Sequence, residues 1–187
     1  MISSLKNPKT DNYKFLKNIV LSDEFPWYYH NVSTLYGEEN YSHLKEHINF
    51  PFYGHTFLDR PDGPIKYGKK VPTIKSQYFD LVYEVFEEIF QYNDFFNDYF
   101  YLRINANCVH PNPGPQHSIP HVDHRFSHKN VIVYLSDTKG STVINDYEYD
   151  PNEDDIILFD KDIHYMKRPL NDRRVILVTT IFTDFTE

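Results

Sequence analysis

The sequence predicts a mainly β domain with flanking helices, in which two packed antiparallel sheets wind as a double-stranded β-helix, or jelly roll. Three observations carry that prediction. Short β-rich apolar runs recur through the second half of the chain, at 101–109, 130–136, 141–144, 156–159 and 174–183. Turn-forming segments such as Lys139-Gly140-Ser141 separate them. One long one-face apolar pattern at 73–93 precedes them and reads as a helix. The length of 187 residues suits a single domain, 1–187, with a supporting region over about 1–100 and the β core over about 101–187.

In chain order, residues 1–36 are expected to form an N-terminal arm with a strand near Tyr13–Val20. Ser22 or Asp23 can cap a short helical turn, whose length Pro26 limits. Phe25, Trp27 and Tyr28 are expected to pack on the sheet. Residues 37–72 read as polar and irregular, with His43, His47 and His55. His43 and His47 stand four apart, a chelating spacing on a helix. No third ligand of the right kind stands nearby, so they read as surface histidines. Arg60-Pro61-Asp62-Gly63-Pro64 reads as a turn or loop. The 73–93 pattern is apolar at 78, 81, 82, 85, 86, 89 and 90, one face of a helix that should buttress the larger sheet. Asp94–Tyr99 links it to Tyr101–Val109, the first core strand, and 112–120 is a loop.

Composition weighs against several classes. Aromatic residues make up 17% of the chain, and core packing accounts for them better than a stacking platform does. The formal charge is −8, and no basic run is longer than Lys69-Lys70 or Arg173-Arg174, which argues against a nucleic-acid backbone as partner. Cys108 is the only cysteine, so no intrachain disulfide forms and a reducing interior is the natural setting. It is expected to pack as a small apolar residue. No run of eighteen apolar residues and no signal-peptide pattern is present. The expectation is a soluble protein of the cytoplasm, or of the host cytoplasm if virus-encoded.

The chemistry concentrates in His121-Val122-Asp123, with His164 41 residues beyond Asp123 and Arg174 ten residues beyond His164. Two imidazoles and one carboxylate are the ligand set of a mononuclear non-heme iron site, in which three further positions stay open. Residues two apart on a strand share a face, so His121 and Asp123 can grip one metal from one side. The third ligand must then come from a strand that folds back alongside. Arg174 adds a permanent planar cation suited to a carboxylate.

These residues, with Val133-Tyr134-Leu135-Ser136, Gly140-Ser141-Thr142, Ile157-Leu158-Phe159-Asp160 and Arg173-Arg174-Val175, resemble the Fe(II)/2-oxoglutarate-dependent dioxygenases. The resemblance is to the prolyl-hydroxylase-like branch and its short relatives in phages and marine bacteria, and covers about 101–183. It implies Fe(II) on His121, Asp123 and His164, with 2-oxoglutarate and O2 as co-substrates and ascorbate as a supporting reductant. It implies oxidative hydroxylation of an unactivated C–H bond. By the same resemblance, Arg174 holds the distal carboxylate of 2-oxoglutarate, Tyr134 donates a hydroxyl to it, and Asn107 lines its pocket.

Arg173 competes for that role, because neighbours on a strand face opposite ways. With Arg174 inward, Ile176, Val178 and Thr180 face the barrel. With Arg173 inward, Val175, Leu177 and Thr179 do. By the resemblance, the ten-residue offset from His164 favours Arg174. One of His117, His124 and His128 could orient Asp123 or line the mouth, although exposed loop histidines are the plainer reading. Arg125 could meet an anionic substrate. The rival readings are a non-catalytic cupin-like metal-binding protein, a nucleic-acid-modifying dioxygenase of the same superfamily, and an interaction protein built on the aromatic surface. The primary substrate is not legible; loops 37–72 and 110–120 would choose it.

Overall fold

The structure is a computed structural model that describes residues 2–32, 50–60, 71–95, 98–137 and 139–183. Two antiparallel sheets face each other. The larger contains β1 (Ile2–Leu5), β2 (Tyr28–His30), β3 (Phe52–Asp59), β4 (Thr73–Ile74), β5 (Phe100–Val109), β6 (Lys129–Tyr134), β9 (Ile156–Asp160) and β11 (Arg174–Phe182). Its order is β1-β9-β6-β11-β5-β3-β2, with β4 also on β3. The smaller sheet is β10-β7-β8, from β7 (Thr142–Ile144), β8 (Tyr147–Tyr149) and β10 (His164–Met166). This is the double-stranded β-helix that the strand runs predict.

The central strands are buried on both sides, so they read as continuous apolar runs rather than alternating ones. Period two still decides which residue goes where. Val131 and Val133 of β6, Leu158 of β9, and Val175 and Leu177 of β11 face a helical layer. Ile132 and Tyr134, Ile157 and Phe159, and Ile176 and Val178 face the smaller sheet.

The helical layer is α1 (Asp11–Leu21) and α2 (Phe79–Tyr92). The expected strand at Tyr13–Val20 is therefore a helix. Its β-branched residues mislead, whereas its buried residues Tyr13, Leu16 and Val20 have helical spacing. Thr10 caps it, its side chain accepting from Tyr13 N–H at 3.2 Å. Ser22 ends α1 and opens a single turn over Asp23–Glu24, its carbonyl accepting from Phe25 N–H at 3.5 Å. The 73–93 helix is shorter at its start: Thr73–Ile74 pairs with β3, and the Ser76 hydroxyl accepts from Tyr78 N–H at 3.1 Å just before α2. Val82, Val85, Phe86, Ile89 and Phe90 fill the helix-sheet interface. Glu88 of α2 accepts from Thr10 and, at 2.8 Å, from Asn12 Nδ2, which ties the two helices together.

Three expectations about the first half are corrected or lie outside the described residues. Within 37–72, residues 52–59 are not irregular but form β3, whose Phe57 and Leu58 are buried; the interruptions Gly54, His55 and Thr56 hide the strand in the sequence. His55 is also buried, between Pro26 O and the Ser76 hydroxyl, each 2.8 Å away. Phe25 packs in the core as expected, but Tyr28 is 61% exposed on the edge strand β2. His43, His47 and residues 61–70 lie outside the described residues. Cys108 is buried in the core, and burial pushes its thiol up to about 11, out of the range of a reactive thiolate. Among the described residues no helix is long and apolar enough to cross a membrane.

Thr10→Ala should remove the cap of α1 and its link to Glu88, at a cost of about 1–2 kcal/mol. Urea unfolding of the two proteins, with unchanged m-values, checks it.

Candidate metal centre

The loop before β6 runs beside β10 as an irregular fourth strand of the smaller sheet. His117 bridges Lys167 and His121 bridges His164. His121 N–H donates to His164 O at 3.0 Å, and His164 N–H returns a bond to His121 O at 2.9 Å. Ser118 reinforces the register: its N–H donates to Met166 O at 2.9 Å and its hydroxyl accepts from Met166 N–H at 3.1 Å. The pairing sets the two imidazole centroids 4.6 Å apart.

Both rings are held the same way. Nδ1 of His121 lies 2.9 Å from Ile119 O, and Nδ1 of His164 lies 3.0 Å from Asp162 O. With Nδ1–H donated to a carbonyl, Nε2 keeps its lone pair for a metal. Asp123 lies beside them, Oδ2 3.5 Å from His164 Nε2. One ligand atom from each of His121, Asp123 and His164 falls within 4.8 Å of the others. The donor set and its orientation fit one divalent ion with open positions on the remaining side.

The reason for the His-x-Asp spacing differs from the expected one. His121 sits in an isolated bridge and Asp123 in a bend, so no regular strand puts them on one face. A long-range partner places Asp123 instead. Nη2 of Arg103, on β5, lies 2.8 Å from Asp123 Oδ1, with side chains only 13% and 5% exposed. Arg60 Nη1 donates to Asp123 O at 3.4 Å. Burial alone would raise the Asp123 carboxyl, but Arg103, His164 and His121 outweigh it and hold the group far below the usual carboxylate range. Burial, with His164 beside it, pulls His121 down to about 4. Near neutral pH these two groups are therefore an ionised carboxylate and a neutral imidazole.

These groups open into a cavity of about 190 Å³ between the sheets. Arg174 reaches its buried end and is 2% exposed. Its Nε donates to Gly140 O at 2.7 Å and its Nη2 to Thr142 Oγ1 at 2.8 Å, while Nη1 lies 3.8 Å from Met166 Sδ. No carboxylate pairs with it among the described residues. Gly140 makes room for this pose, since a Cβ there would lie 2.5 Å from Arg174 Cδ. Arg173 faces the other way, and its Nη2 donates to Leu21 O at the end of α1, 2.5 Å away. Tyr134 is fully buried behind Thr142; the two hydroxyls are 2.7 Å apart, and Thr142 is the one on the cavity wall.

Asn107 lines the cavity, as do Asn105 and Arg103 on the same face of β5. Sequence reasoning missed Arg103. The signal was available as polar residues at every second position of a strand whose other face, Ile104, Ala106 and Cys108, is apolar. Of the loop histidines, His128 is buried rather than exposed, with Nδ1 2.9 Å from Phe126 O, and His124 Nε2 lies 3.0 Å from the Thr180 hydroxyl. Arg125 is exposed and does not line the cavity. A larger, more open depression of about 550 Å³ between α2 and the start of β5 contains no histidine.

No protein-family model matches the chain, and no curated protein matches it with significance. Solved structures do. An oxidoreductase of the 2OG-Fe(II) oxygenase family from Burkholderia pseudomallei is 13% identical at a TM-score of 0.67, over 96% of this chain and 84% of that one. The chain has the fold of a 2OG-Fe(II) oxygenase. A prolyl hydroxylase from Trichoplax adhaerens, in complex with a peptide fragment of the hypoxia inducible factor oxygen degradation domain, is 11% identical at 0.57, over 97% and 83%. AviO1 from Streptomyces viridochromogenes Tue57 is 12% identical at 0.52, over 100% and 91%.

His121 binds its proton less readily in the folded chain, at about 4, than at its ordinary value of 6.5. The metal-free protein should therefore keep full stability from this group above pH 6.5 and lose it as pH falls towards 4. By pH 5 the loss should be about 1–2 kcal/mol. Urea unfolding of metal-free wild type and His121→Gln at pH 7.5 and 5 checks it, and the wild type should lose more by that amount.

Proposed function

We propose that this chain is an Fe(II)- and 2-oxoglutarate-dependent dioxygenase that hydroxylates an unactivated C–H bond of a peptidyl, prolyl or small-molecule substrate. One observation carries the reading: a buried guanidinium with no carboxylate partner among the described residues shares a cavity with a two-histidine, one-carboxylate cluster. A buried cation is costly unless an anion meets it. Two of the similarly folded structures, a 2OG-Fe(II) oxygenase and a prolyl hydroxylase, support the same reading. A metal-binding protein without a co-substrate would have no use for the cation.

In this reading His121, Asp123 and His164 hold the iron, which supplies the activation of O2 and the cleavage of the C–H bond. The chain supplies orientation and binding. Ile119 O and Asp162 O keep each Nε2 turned to the metal. Arg174 presents Nη1 to the distal carboxylate of the co-substrate, its other nitrogens being fixed on Gly140 and Thr142. Thr142 Oγ1 accepts from Arg174; with Tyr134 as a second donor to it, the Thr142 proton is left for the same carboxylate. Tyr134 thus acts through Thr142. Ile132, Ile176 and Val178 line the space beside them and exclude water from the charged pair. Asn107 offers its amide from the β5 wall.

Arg174→Ala should weaken 2-oxoglutarate binding to the metal-loaded, oxygen-free protein by about 3–5 kcal/mol, two to three decades or more, and leave metal affinity intact. Arg173→Ala should leave 2-oxoglutarate binding unchanged and cost only stability. Asp123→Ala and His164→Ala should fold and lose the metal. Calorimetric titration of the four variants decides; unchanged 2-oxoglutarate affinity in Arg174→Ala would defeat the co-substrate assignment.

A further inference from the structure

The two oxygens of Asp123 have different neighbours. Oδ1 takes the guanidinium of Arg103 at 2.8 Å, and Oδ2 faces His164 Nε2 at 3.5 Å. Arg103 has no competing acceptor among the described residues; its Nε is buried and unpartnered. Its backbone is fixed as firmly. It sits opposite Thr180 in the β5–β11 ladder, and its carbonyl accepts from the Thr179 hydroxyl at 2.9 Å. The pair is nearly closed to water, so the charge-assisted bond keeps most of its strength.

We propose that Arg103 is a positioning residue that holds Asp123 as a one-oxygen metal ligand by keeping Oδ1 off the metal. The proposal rests on the metal reading above. A carboxylate can meet a divalent ion through one oxygen or through both. The two-oxygen mode would fill one of the positions that the two histidines and Asp123 otherwise leave open. A permanent cation on Oδ1 makes that mode unfavourable, because rotating Oδ1 towards the metal breaks a buried charged hydrogen bond. The bond from Arg60 to Asp123 O holds the backbone of the same residue. Arg103 thereby sets the number of open positions without touching the metal.

The test is infrared difference spectroscopy, Mn(II)-bound minus metal-free, on protein carrying [4-13C]aspartate. Mn(II) keeps octahedral preferences and takes oxygen ligands. The separation between the antisymmetric and symmetric carboxylate stretches is wide for one-oxygen and narrow for two-oxygen binding. Wild type and Arg103→Lys, which keeps one charged N–H donor, should show the wide separation. Arg103→Met should show the narrow one. Arg103→Gln, too short to span to Oδ1, should do the same and serves if the methionine variant does not fold. The same wide separation in wild type and in the variants lacking the cation overturns the proposal. A wild type without any Mn(II)-dependent aspartate band overturns the metal reading and this proposal with it. A purely structural role for Arg103 would lower the melting temperature but leave the separation unchanged.

Discussion

The site depends on one exchange of hydrogen bonds, that between the backbones of His121 and His164. In an antiparallel pair, residues that exchange both bonds sit directly opposite each other, with Cα atoms about 5.5 Å apart. Two imidazoles far apart in sequence thus become neighbours by backbone geometry alone, before any metal is present. The segment carrying His121 is otherwise irregular, so this pairing and the Ser118–Met166 contacts are what give it a register. Slipping that register by one residue would turn the rings to opposite faces.

The larger sheet supplies the second constraint. Its central strands are sealed on one side by α1 and α2 and open on the other to the cavity. The adjacent pair at the start of β11 shows how sharply the sheet divides its labour. Arg173 turns to the end of α1, where a cation meets the unsatisfied carbonyls of a helix terminus. Arg174, one residue on, turns to the cavity. The same side-chain chemistry thus serves helix termination on one face and, on the proposed function, carboxylate recognition on the other.

What the sequence made legible follows from this architecture. Strands β6, β9 and β11 stand out because burial on both faces leaves unbroken apolar runs, such as Ile156-Ile157-Leu158-Phe159, and β5 stands out by the alternation of its second half. β3 does not, because Gly54, His55 and Thr56 break its run although two of the three face packed surroundings. α1 reads as a strand because Tyr13, Ile19 and Val20 favour β locally, and tertiary burial of one helical face overrides that preference. At the site, residue types and order pointed to His121, Asp123, His164 and Arg174. The alternation along β5 puts Arg103 on its polar face, but the contact with Asp123, 20 residues away, exists only once β5 and the Asp123 bend are folded together. The role proposed for Thr142 is not legible either, since nothing local distinguishes a threonine that would relay a hydroxyl from one that fills space.

The uncompensated charge of Arg174 also reaches beyond recognition. A fold that buries a cation with no acidic partner among the described residues gives up stability that an arriving anion restores. Any small dicarboxylate that seats there acts as a folding partner, adding about 2.7 kcal/mol when present at a hundred times its dissociation constant. On the proposed function, the lifetime of this chain in a cell would follow the supply of its own co-substrate, and scarcity would be felt first as unfolding and turnover.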